Sequence, residues 1–152
     1  MLERSFVARA LALTELFVNL VEHDRAEALT LEDFRADAAA RWPNGLGDDL
    51  EPDAFVRVSR GDVTCYWWVE LWDQTVSATD LRANLLAYVD FAEREVTGPD
   101  GVVPRVLIAA VTNDNVEHAQ FVVDGLPTEA RQMFAVAPMS DAAAVMAREL
   151  RR

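Results

Sequence analysis

The chain contains no lysine. All 14 of its basic residues are arginine, whose guanidinium stays protonated and cannot act as a base. Cysteine is nearly absent as well: Cys65 is the only one, so no internal disulfide can form and nothing calls for an oxidising compartment. It reads as a small buried residue on a strand. The two histidines, His23 and His118, are far apart and in no ligand spacing, which gives a zinc site or histidine acid–base catalysis little support. Glycine is sparse, and Gly45-Leu46-Gly47 lacks the helix start with Lys or Ser/Thr that a phosphate loop needs. No apolar run approaches the roughly 20 residues of a membrane span, and Glu3, Arg4, Arg9 and Glu15 interrupt the apolar N-terminus where a signal peptide would be continuous. The expectation is a soluble, cytoplasmic protein without membrane attachment. Positive charge is also in deficit. A formal net charge of −12 opposes phosphate backbones, so binding of DNA by the isolated chain is not expected and a protein partner is.

What is present suits one domain. With 152 residues and 51 % hydrophobic content, the chain can bury a real core. It divides into N-terminal helices over 1–42, a sheet core over 50–137 and a C-terminal helix over 140–152. Leu2, Phe6, Ala10, Leu13, Phe17 and Leu20 recur at helical spacing and predict a first helix over about 2–24. Its apolar face could pack on the sheet, the preferred reading, or on another copy of the chain as a homodimer. Thr30 followed by Asp33 looks like a capping arrangement and predicts a second helix from Leu31 to about Arg41. Ser77 or Thr79 can cap a helix with Leu81, Leu85 and Tyr88 on one face, ending by Gly98-Pro99-Asp100-Gly101. The run Val106 to Val111 has no polar alternation and reads as a strand buried on both faces. A helix from Asn113 to Asn115 onward, a short strand Phe134 to Ala137 and a last helix capped by Ser140 complete the order. The fold class is α/β (α+β): a mixed central sheet with a β-hairpin and βαβ units, flanked by helices.

The chemistry concentrates in the hairpin. Two runs, Ala54 to Val58 and Val63 to Leu71, flank Gly61-Asp62, a two-residue loop suited to a type II′ turn. Pairing Arg60 with Val63 then makes opposite residues sum to 123, which sets Asp53 against Glu70 on one face. Neighbouring carboxylates repel, share a proton with one pKa raised, or hold a cation. Tyr66, Trp68, Glu70 and Trp72 share that face, while Trp67, Val69 and Leu71 take the other. The aromatic residues read first as core and second as an exposed stacking platform.

Pro52-Asp53, a hairpin, then Glu70-Leu71-Trp72 resembles the PD-(D/E)XK nuclease-like fold. Within it, Pro52 to Phe55, Val69 to Thr75 and Leu85-Leu86-Ala87-Tyr88 resemble the nuclease-like domain of replication-relaxation proteins of plasmids and other mobile elements, over about residues 10–125. The resemblance implies that Asp53 and Glu70 bind a divalent metal and that a lysine assists the attacking water. This sequence departs from the pattern: Trp72 stands in the second acidic position, Gln74 in the glycine position and Asn84 where the lysine falls, four residues before Tyr88. A lysine-dependent mechanism is excluded. The first reading is a catalytically degenerate nuclease-like domain that acts by binding in mobile-element replication, transfer or its control. No cofactor is expected beyond weak magnesium or manganese at Asp53 and Glu70. The alternatives are a metal-dependent phosphodiesterase, with Arg57 or water supplying what lysine would, and an acidic protein-interaction subunit. Trp72 is expected to cover or border the Asp53–Glu70 pair.

Overall fold

A computed structural model describes residues 2–73, 77–94 and 96–151, with side chains from Phe6 onward. The side chain of Leu2, together with Gln74, Thr75 and Arg152, lies outside what is described. Helix α1 (Leu2–Arg25) leads into strand β1 (Thr30–Ala36), a single 3-10 turn (Asp37–Ala40) and a two-residue pair, β2 (Trp42–Pro43) with β3 (Asp49–Leu50). The hairpin β4 (Ala54–Arg60) and β5 (Val63–Trp72) follows, then α2 (Ala78–Glu93), β6 (Arg105–Ala110), α3 (Asn113–Asp124), β7 (Phe134–Pro138) and α4 (Ala142–Glu149).

The five long strands form one sheet in the order β1-β4-β5-β6-β7. β4 is antiparallel to both β1 and β5, and β5, β6 and β7 run parallel. The sheet is therefore mixed: a meander at one side and two βαβ units at the other. Its hairpin register runs from Arg60↔Val63 to Ala54↔Val69, as the two-residue loop predicts. Gly61 has φ +59° and Asp62 an ordinary φ, the φ pattern of a type II′ turn.

Alternation along β5 divides two cores. Trp67 and Val69 point to the face covered by α1 and α4, where Leu13, Leu16, Leu20 and Met146 are buried. Trp68 and Trp72 point to the opposite face, under Leu85 and Phe91 of α2 and Val122 of α3. Trp67, Trp68 and every residue from Val106 to Ala110 are fully buried, so the central strands are covered on both faces. The aromatic residues of β5 are core, and the exposed-platform reading falls.

One predicted element changes type. Residues 31–41 do not form a helix: Thr30–Ala36 is a strand paired with β4, and only Asp37–Ala40 turns helically. Without β1, the N–H and C=O groups of β4 facing it would lack partners, and six ladder positions outweigh one local cap. The signals at its start go elsewhere: Leu31 N–H bonds Asp24 Oδ2 at 2.8 Å, and Phe34 stacks edge-on against Phe17 of α1. The N-terminal region is thus helix plus strand. Register shifts between Leu31 and Asp33, a bulge in this outermost strand. Ser77 does cap α2, its Oγ accepting from Asp80 N–H at 3.1 Å, whereas Ser140 does not cap α4: the N-cap position falls one residue later, at Asp141, whose side chain makes no capping hydrogen bond.

Candidate functional site

The site forms where the hairpin, α1 and α2 converge. The regular ladder stops at Ala54↔Val69. One step before it, Asp53 is turned so that its N–H donates to Val69 O (2.9 Å) and its Oδ2 accepts from Leu71 N–H (2.7 Å). The other oxygen, Oδ1, takes an ion pair from Arg9 Nη2 of α1 at 2.6 Å, and the same nitrogen reaches Asp37 Oδ1 at 2.8 Å. Asp37 N–H in turn donates to Asp53 O at 3.0 Å. Every Asp53 oxygen is therefore engaged by α1, β5 or the 3-10 turn.

Glu70 sits beside it on β5 and is 8 % exposed. The Tyr88 hydroxyl, reaching in from α2, donates to Glu70 Oε1. Burial, and secondarily the negative charge of Asp53, push the Glu70 carboxyl up to about 8, against the opposing influence of Tyr88 and Arg9. Glu70 is accordingly a neutral acid at pH 7. Burial also raises Asp53 above the ordinary aspartate range, opposed by the Leu71 N–H and Arg9. The Tyr88 hydroxyl is pushed well up by burial and by Glu70, so it stays protonated and donates.

Asp53, Glu70, Trp72, Asn84 and Arg9 line one cavity of about 310 Å³. A smaller hollow of about 210 Å³ adjoins it, sharing Glu51, Glu70 and Asn84 and adding Asp49 and Tyr88. The structure thus brings together five of the residues singled out from sequence: Asp53, Glu70, Trp72, Asn84 and Tyr88. Trp72 is 3 % exposed and borders the carboxylates, its ring 6.1 Å from that of His118 on the far side. Asn84 lies one turn before Tyr88 on α2, both facing Glu70. Arg57 is the exception. It lies mid-strand opposite Tyr66 and pairs with Asp100 at 2.7 Å, outside the cavity lining. Its place as a substitute for lysine is not supported by the geometry, because Asp100 already holds its guanidinium.

Arg9 and Asp37 were not foreseen. Arg9 continues the buried stripe Leu13, Leu16, Leu20 at a spacing of four residues, and a lone cation on the core side of a helix is the signal that would have found it.

A family model described as replication-relaxation matches residues 1–106. The chain belongs to the replication-relaxation family. Neither curated proteins nor solved structures give a significant match. The matched region spans α1, β1, the hairpin and α2, which supply all the described lining of the Asp53–Glu70 cavity except Val111, just after β6, and the loop residues Glu51, Asp53 and Asp73 that lie within the match.

The divalent metal that the nuclease-like resemblance implies does not fit these residues. A hard cation needs several ionised oxygens, but Asp53 Oδ1 is taken by Arg9 and Oδ2 by the Leu71 N–H, while Glu70 is buried, bonded to Tyr88 and has its carboxyl pushed up to about 8. Among the described residues no three His, Cys, Asp or Glu side chains gather in metal-holding geometry.

Proposed function

We propose that this replication-relaxation protein is a catalytically degenerate nuclease-like domain that acts by binding, with the Arg9 guanidinium supplying Asp53 and Asp37 with the positive charge that a metal would otherwise bring to the site. Family membership ties it to the replication or transfer of plasmids and other mobile elements. The observation that carries the reading is the 2.6 Å Arg9–Asp53 pair beside a Glu70 that is buried and held by the Tyr88 hydroxyl. A guanidinium paired with Asp53 cannot generate a hydroxide nucleophile as a metal-bound water does.

Charge supports binding to protein over nucleic acid. Among the described lining residues, Glu51, Asp53, Glu70 and Asp73 are acidic and Arg9 is the one cation, so a phosphodiester would meet carboxyl groups in excess. The test is a plasmid-nicking assay with magnesium and with manganese, on the wild type and Glu70→Gln. The expected result is no cleavage by either. Cleavage lost on Glu70→Gln would overturn the reading in favour of a metal-dependent phosphodiesterase.

A further inference from the structure

Helix α1 is apolar on two sides. Ala12, Leu13, Leu16 and Leu20 are buried against the sheet, yet Phe6, Val7, Leu11, Phe17 and Val18 are 71, 53, 66, 43 and 46 % exposed. These five are nearly half of the eleven large apolar residues exposed among the described ones, and the other six are scattered over loops and other elements. At about 100° per residue, positions 6, 7, 10, 11, 14, 17, 18 and 21 cover a continuous arc of roughly 140°. That arc carries no charged side chain from Phe6 to Val21. Its one polar group, the Thr14 hydroxyl, is turned back onto Ala10 O at 2.9 Å.

We infer that this outer face of α1 is a two-fold interface with a second copy of the same chain. Several observations select that occupant. Val7, Leu11, Thr14, Val18 and Val21 recur at spacings of four, three, four and three, the seam by which a helix packs on a copy of itself. The exposed apolar area amounts to about 600 Å² per copy, the upper end of what a monomer ordinarily leaves in one patch, and full pairing removes roughly 1,200 Å², the lower bound for a stable interface. Charge points the same way. Copies carrying −12 each repel over most of their surface and can close on one another only where that charge is missing.

The interface lies on the side of α1 opposite Arg9. Residues 6–11 are all exposed in their own chain, although Arg9 among them closes the Asp53 pair. A partner helix along the outer face would hold those turns and with them the guanidinium.

Sedimentation velocity on the whole chain tests this over concentrations up to about 100 µM. The expected result is a species of twice 16.9 kDa. A Leu11→Glu/Val18→Glu double variant is expected to weaken dimerisation at least about 100-fold with an unchanged circular dichroism spectrum. Should that variant fail to fold, Thr14→Glu, exposed at the centre of the seam, replaces it with the same expected outcome. A strict monomer over the whole range would overturn the inference and leave the face to a segment of another protein. A dimer unmoved by a folded variant would overturn it as well.

Discussion

Tyr88 on α2 donates its hydroxyl to Glu70 on β5 inside the core, so the acid has a fixed partner and one oxygen left to carry its proton. The proton is the basis of a stability dependence on pH. In the unfolded chain Glu70 ionises near 4.5, whereas in the folded chain it keeps its proton to about 8. Between those values the folded state binds more protons, so stability falls as pH rises, by at most about 1.4 kcal/mol per pH unit from this group, and levels off above the folded value. Glu70→Gln keeps an acceptor for Tyr88 and removes the titration. It should be more stable than the wild type by about 2–4 kcal/mol at pH 8 and equal to it near pH 4. Urea unfolding of both proteins from pH 4 to pH 9 measures the difference; parallel curves would show that Glu70 ionises normally.

Removing the hydroxyl should have the opposite sign. Tyr88 stabilises ionised Glu70, so Tyr88→Phe is expected to push the Glu70 pKa further up and to cost about 1 kcal/mol at pH 8. Carboxyl carbon shifts of Glu70 in an NMR titration would read the first, and urea unfolding the second.

Arg9 controls whether the site can take a metal. With Arg9→Ala, Asp53 loses its counter-ion and Glu70, no longer held down by the Arg9 charge, ionises later than in the wild type, so weak manganese binding should emerge only from about pH 9 upward while staying undetectable at pH 6. Calorimetric titration of the wild type should show no binding at either pH. Trp72→Asp, which would supply a third oxygen, is the poorer route, because Trp72 is core and its loss costs about 3–5 kcal/mol before any metal binds. Manganese binding by the wild type at pH 6 would contradict the occupancy of Asp53 by Arg9.

The hairpin was the most legible part of the chain. A two-residue Gly61-Asp62 loop determines the register, and with it the faces of Trp67, Trp68 and Glu70. Helices α1 and α2 followed from periodicity, and β6 from an unbroken apolar run. β1 was illegible because Thr30 and Asp33 give a local helix signal that outer-strand pairing overrides. The site was half legible for a related reason: Asp53, Glu70 and Tyr88 lie on elements whose register or period the sequence reveals. Arg9 comes from more than 40 residues upstream, a contact that only the packing of α1 on the sheet creates.

The turn before β6 offers a stability test independent of the site. A Cβ on Gly98 would stand 2.0 Å from Val102 O and 3.0 Å from its carbonyl carbon, both backbone atoms that cannot rotate away. Gly98→Ala should therefore cost about 2–3 kcal/mol, well beyond an ordinary surface change. Gly61→Ala, strained by φ +59° but facing open space, should cost about 1 kcal/mol. Thermal unfolding of the two variants side by side checks the order.

The bulge between Leu31 and Asp33 bears on how copies of this protein can meet. β1 ends the sheet, and an end strand with free backbone groups is a template for unlimited strand-by-strand growth. Here the break in register bends that template, while Glu32, bonded to Ser59, and Asp33, paired with Arg35, place charge along it. Self-association through the backbone is thereby discouraged, and α1 offers a closed, two-member alternative that terminates after one step instead of propagating into a fibre.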